Sequence, residues 1–87
     1  MPRVELFASA RLIAGFHFLE VPEATIAEVL AALAAQCPAL IGSVLDATGR
    51  PTVAYSLNLN GVQFVADLST RLMADDTLLL MSSLSGG

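Results

Sequence analysis

The sequence has no lysine and no tryptophan, and among its 87 residues it has one cysteine, one histidine and one tyrosine. One cysteine closes no internal disulfide, so the chain suits a reducing compartment and is not a stapled secreted scaffold. With no lysine, it offers no side-chain amine on which copies of itself could be linked. Charge is also scarce, at 14% of residues, and the net charge is −4. That balance repels phosphates, which excludes a nucleic-acid partner. Hydrophobic residues make up 55% of the chain, the reverse of the composition of disordered segments. The length leaves room for a single small core.

Long apolar runs are missing as well. The richest stretch, Val29 to Leu45, is interrupted by Gln36, Pro38 and Ser43, and it falls short of the roughly 20 residues of a membrane span. Glu5 and Arg11 divide the N-terminal apolar segment before a signal-peptide core forms. A soluble, cytoplasmic chain without a membrane partner is therefore expected. The usual catalytic signatures are lacking too: there is no G-x-S-x-G, no Walker glycine loop, no C-x-x-C and no H-x-x-x-H. Asp75-Asp76 reads as a solvated turn, because adjacent carboxylates diverge. His17, between two phenylalanines, has no catalytic partner near it in sequence. Cys37 falls on an apolar helix stripe, where a thiol behaves as a small hydrophobe.

The remaining pattern is regular. Val4, Leu6 and Ala8 alternate with Arg3, Glu5 and Phe7, which predicts a half-buried strand with Phe7 on its outer side. Ser9 to Gly15 predicts a helical turn, and Phe16 to Val21 a second strand closing at Pro22. Thr25 followed by Glu28 is a capping box. It opens a helix whose stripe is Ile26, Val29, Leu30, Leu33 and Cys37. Pro38 ends that helix and opens a shorter one holding Leu40, Ile41, Val44 and Leu45. Past Pro51, Val53, Tyr55, Leu57 and Leu59 share one strand face, with Ala54, Ser56 and Asn58 on the other. Asn60-Gly61 predicts a tight hairpin into Val62–Val65. After a loop, Thr77 to Met81 forms the last strand, with Leu78 and Leu80 facing one way and Leu79 and Met81 the other. The order β-β-α-(α)-β-β-β predicts an α+β, β-grasp fold: a mixed sheet of about five strands over one main helix plus a short second helix. The first and last strands are expected to be central and parallel. Residues 1–82 form the domain and 83–87 a flexible C-terminal tail ending in Gly86-Gly87.

That tail is the candidate reactive segment. Glycines without side chains suit passage through a narrow enzyme channel, and the terminal carboxylate is a group an enzyme can activate. Here the chain resembles the MoaD/ThiS-type ubiquitin-like sulfur carriers, most closely the small subunit of molybdopterin synthase. The resemblance rests on Leu6-Phe7-Ala8-Ser9 with Arg11-Leu12 and Ala14-Gly15, and on Val21-Pro22-Glu23-Ala24-Thr25 leading to Glu28-Val29-Leu30. It continues through Leu59-Asn60-Gly61, Leu72 and Asp75-Asp76 to the final Ser85-Gly86-Gly87.

The resemblance implies a sulfur carrier that is not itself an enzyme and binds no cofactor. An adenylating, E1-like activating enzyme using ATP and magnesium would act on Gly87, and a sulfur donor would convert the adenylate to a thiocarboxylate. The large subunit of molybdopterin synthase would receive the tail through Gly86 and Ser85 and build the dithiolene of molybdopterin. Phe7, Leu79, Met81 and Leu84 would dock these partners, and no metal site is implied. Where the family usually has prolines before the tail, this chain has Ser82-Ser83, so a less rigid exit is expected. Related expectations are sulfur carriers for thiamine-thiazole or cysteine synthesis. A different class is a β-grasp interaction module or protein modifier without sulfur chemistry.

Overall fold

The computed structural model describes residues 1–83. Strand β1 (Arg3–Leu6) follows the alternation in the sequence, with Val4 and Leu6 fully buried. Helix α1 (Ala8–Ala14) stops at Gly15, whose φ of 82° is open to glycine at little cost and whose N–H bonds the Arg11 carbonyl. Strand β2 (Phe18–Glu20) returns antiparallel to β1. A two-residue strand β3 (Ala24–Thr25) then leads directly into α2 (Ile26–Gln36).

Helix α2 begins where its capping box dictates. The Thr25 hydroxyl accepts from the Glu28 N–H at 3.2 Å, and the Glu28 carboxylate accepts from the Thr25 N–H at 3.0 Å. Ile26, Val29, Leu30 and Leu33 form its buried stripe. Strands β4 (Tyr55–Leu59) and β5 (Gln63–Phe64) are joined by Asn60 and Gly61, both at positive φ. The turn closes through the Val62 N–H on the Leu59 carbonyl, as predicted for Asn-Gly. Strand β6 (Arg71–Leu72) pairs with β3, and β7 (Thr77–Ser82) completes the main sheet.

The sheet order is β2-β1-β7-β4-β5, with β1 and β7 parallel and the other neighbours antiparallel. The first and last strands are thus interior and parallel, as expected for the β-grasp. Val4, Leu6, Leu57, Leu78 and Leu80 from the sheet join the α2 stripe, Leu40, Val44, Leu45 and Leu72 in one core. Full burial of a leucine contributes about 1.5–3 kcal/mol, so these residues dominate the stability of so small a domain.

Three expectations are corrected. The second helix shrinks to a 3₁₀ turn at Pro38–Leu40, because Ile41 is extended and Gly42 sits at φ 104°. Leu40, Val44 and Leu45 are still fully buried, held by a looped backbone with isolated bridges at Ile41–Leu45 and Leu45–Pro51. Val53 is not on the inner face of β4; it is fully exposed, since the Tyr55 N–H turns back to the Thr52 carbonyl and the strand starts only at Tyr55. The segment before the last strand is not all loop: Arg71–Leu72 pairs with the entry to α2, and Leu72 is buried there.

Candidate functional site

The face of the sheet away from α2 is laid out by strand register. One row runs across all five strands: Phe18, Glu5, Leu79, Asn58 and Phe64 are successive cross-strand partners. In the next row Met81 on β7 opposes Ser56 on β4. Phe7 follows the end of β1, its N–H donating to the Leu80 carbonyl at 3.2 Å, which continues the β1–β7 pairing by one residue. Of the residues expected to share an outer surface, Leu79 and Met81 occupy alternate positions on the same side of β7 and Phe7 follows the end of the neighbouring β1, each half-buried.

Cations border the face. The Arg11 guanidinium lies 5.5 Å from the centre of the Phe7 ring while its Nε donates to the Leu6 carbonyl at 3.2 Å. Arg3 lies 4.0 Å from the centre of the Phe18 ring and 3.9 Å from the Glu5 carboxylate. The Arg3–Glu5 pair is exposed and contributes at most about 1 kcal/mol.

Strand β7 leads straight to the tail. The Ser83 N–H donates to the Ala54 carbonyl at 2.8 Å, and the Ser83 and Ser56 hydroxyls are 2.8 Å apart. The chain therefore leaves the sheet beside the Met81–Ser56 row. Leu84, Ser85, Gly86 and Gly87, the remaining candidate residues, lie outside the described residues.

Two asparagines on this side of β4 differ sharply. Asn60 is fully engaged: its Nδ2 donates to Asp76 at 3.0 Å and its Oδ1 accepts the Thr77 N–H at 2.7 Å. The Asn60 amide, and then the Met73 N–H, hold the Asp76 carboxyl below its ordinary range. Asp76 is thus a structural clamp on the start of β7, in keeping with the turn expected for Asp75-Asp76. Asn58, by contrast, is 7% exposed, and among the described residues its Oδ1 has no hydrogen-bond partner. Leaving such an acceptor unpaired costs about 1–3 kcal/mol. The alternation of the sequence places Asn58 on the outer face, and a polar residue between Leu57 and Leu59 was the available signal. Its burial was not legible, because its cross-strand neighbours, Leu79 and Phe64, come from two other strands.

Tyr55 holds α1 in place. Its hydroxyl bonds the Ser9 side chain and accepts the Ala10 N–H at 3.0 Å. A cleft of about 440 Å³ opens beyond β4, with Asp46 and Arg50 as its charged lining. Asp46 is occupied by its own loop, accepting from Thr48 and from the Arg50 N–H; the Thr48 hydroxyl is the main cause of its lowered pKa. His17 is exposed, and Cys37 is half-buried against the core. Among the described residues no three metal-ligating side chains cluster, and no helix is long and apolar enough to cross a membrane.

The sequence pattern of the ThiS family matches residues 4–87. No curated protein matches. Among solved structures, SAMP1 from Haloferax volcanii superposes with a TM-score of 0.80 at 30% identity, over 99% of this chain and 98% of that one. A crystal structure of small archaeal modifier protein 1 from H. volcanii gives 0.75 at 29% identity, over 91% and 92% of the two chains. The solution structure of SAMP1 from Methanosarcina acetivorans gives 0.81 at 24% identity, over 99% and 95%, a likeness of fold.

Proposed function

Because the chain belongs to the ThiS family across residues 4–87, we propose that it is a sulfur carrier that works through its terminal Gly87. The fold is that of a small ubiquitin-like carrier or modifier and not itself a catalytic domain. The observation that carries the proposal is the course of β7. This interior strand presents Leu79 and Met81 on the open face and delivers the chain, at Ser83, to a Leu-Ser-Gly-Gly terminus.

The chemistry follows from the carboxylate. An oxygen of Gly87 attacks the α-phosphorus of ATP on the activating enzyme, and pyrophosphate leaves. A sulfur nucleophile at the hydrosulfide level then attacks the acyl carbon of the adenylate, and AMP departs with the bonding electron pair. The product is a thiocarboxylate, ionised at neutral pH and therefore nucleophilic, as a thiolate is. ATP and magnesium belong to the activating partner. The acceptor in this reading is the molybdopterin precursor on the large synthase subunit, with Gly86 and Ser85 giving passage to its active site. Phe7, Leu79, Met81 and Leu84 dock the partners.

A second reading is favoured by the two SAMP1 structures at 30% and 29% identity. In it the chain is a protein modifier and shares the adenylation step. The two readings diverge afterwards: a lysine amine of another protein ends as the acyl acceptor, giving an isopeptide in place of a thiocarboxylate. The deciding experiment gives the thiocarboxylated chain to the large synthase subunit with its precursor, and in parallel follows the tagged chain in cells. Dithiolene formation supports the molybdopterin route. Its absence, with Gly87 found in isopeptides on other proteins, supports the modifier. Sulfur transfer to a thiazole or cysteine precursor instead identifies one of the other carrier pathways.

A further inference from the structure

We propose that strand β2 is the edge on which a second copy of this chain docks, the two β2 strands pairing antiparallel about a two-fold axis at Leu19. The inference does not depend on the carrier reading above.

The backbone leaves this edge open. Strand β2 is an outer strand of the five-stranded sheet. The Leu6 N–H donates to the His17 carbonyl at 2.8 Å and the Val21 N–H to the Pro2 carbonyl at 2.9 Å. In the same register, the backbone groups of His17, Leu19 and Val21 face β1. By alternation, the N–H and C=O of Phe18 and of Glu20 point away from the sheet, where an extended chain laid alongside can bond them.

The side chains select the occupant. Phe18 and Glu20 stand on the outer face with Glu5 and Arg3, their cross-strand partners on β1. Arg3 is directly opposite Glu20, yet its guanidinium lies 4.0 Å from the centre of the Phe18 ring and 3.9 Å from Glu5. Glu20 is exposed and forms no ion pair among the described residues. Phe18 is 44% exposed beside it. A charged edge turns most strands away, but not one that brings a cation opposite the carboxylate.

A second β2 does so in register. With Leu19 on the axis, Phe18 of each copy faces Glu20 of the other in the hydrogen-bonded positions. The carboxylate then approaches the guanidinium that the other copy holds over Phe18, and symmetry makes this contact twice. A register centred on Glu20 sets two carboxylates face to face and is repulsive. One centred on Phe18 places Glu20 opposite Phe16, which lies before the strand. On the inner face the two Leu19 side chains, half-buried in the single domain, meet as the closer, non-hydrogen-bonded pair. The two sheets become one, and so short a strand makes the dimer a weak, transient one.

The test uses the full chain, followed by sedimentation and amide NMR over a concentration series into the millimolar range, with thermal unfolding measured alongside. The unsubstituted chain should associate reversibly, with concentration-dependent shifts and slowed hydrogen exchange centred on the Phe18 and Glu20 amides. Arg3→Glu and Glu20→Arg should each weaken association about tenfold or more, because both symmetric contacts become like-charged. Mixing the two variants restores opposite charges at both contacts, so the mixture should associate as the unsubstituted chain does. Recovery supports the register even where a single variant melts earlier, since mixing does not repair a damaged fold. A chain that stays monomeric throughout overturns the proposal, as does a dimer whose shifts fall on β5 or α2. Unchanged association in either variant, or no recovery in the mixture, overturns the pairing of Arg3 with Glu20 and with it the two-fold register.

Discussion

Asp76 does more for the fold than its place in an exposed turn suggests. Its two carboxylate oxygens receive the Asn60 amide and the Met73 N–H, tying the β4–β5 turn to the first residue of β7. Asp76→Ala should therefore destabilise the domain by about 1 kcal/mol at neutral pH, read from urea unfolding. Asp76, Glu28, Asp46 and Asp67 all have folded pKa values lowered by hydrogen bonds, chiefly from Asn60, Thr25, Thr48 and Ser69 respectively. A lowered folded pKa stabilises only while the group is ionised. The contribution is complete above the ordinary carboxylate value, about 4, and is lost as the pH falls through the lowered one. Unfolding midpoints should be flat from neutral pH to about 5 and then decline, more shallowly for Asp76→Ala. A decline that begins near pH 6 would contradict this. At this scale the sequence was readable where partners are local, as for Thr25 with Glu28. It was not readable where they are remote: Tyr55 bonds Ser9 and Ala10 across 45 or more positions, and no spacing rule marks that pair.

Elements were legible in proportion to the length of their pattern. Helix α2 has eleven residues, a capping box and an apolar stripe, and it lies within a residue of its expected bounds. Thr25→Ala should cost about 1 kcal/mol, measured by chemical denaturation, because it removes the hydroxyl that accepts the Glu28 N–H while keeping the backbone N–H that Glu28 accepts. The segment after Pro38 misled because Leu40, Val44 and Leu45 do have helical spacing. They are buried all the same, but Gly42 in a left-handed conformation lets the backbone loop around them. Val53 misled in the same way, since alternation continues past the point where the Tyr55–Thr52 turn ends the strand. Strand β6 was too short to carry any period. At the junction of β1 and α1, Ala8 has a φ of 54°, unfavourable for any residue with a Cβ. Ala8→Gly should leave thermal stability unchanged or slightly raised, whereas Ala8→Val should lose about 1–2 kcal/mol. Equal stability of the two variants would show that Ala8 carries no strain.

For the whole molecule, alternation and helical spacing were enough to place β1 and β7 side by side under α2, because a chain of this size has one core to fill. The same alternation sorted Leu78 and Leu80 inward and Leu79 and Met81 outward, and Phe7 joined the outer set. It did not indicate that Phe18 and Phe64 would extend that row to both edges, because β2 and β5 are shorter than their apolar segments. The terminal glycines drew their meaning from chemistry and not from fold, and in the proposed function β7 is the strand that precedes them. The decisive measurement is the intact mass of the full chain after incubation with its activating enzyme, Mg-ATP and a sulfur donor. Replacement of one carboxylate oxygen by sulfur, located at Gly87 by fragmentation and abolished when Gly87 is deleted, is the predicted result. An unchanged mass with an enzyme that demonstrably forms the acyl-adenylate would contradict the sulfur-carrier function.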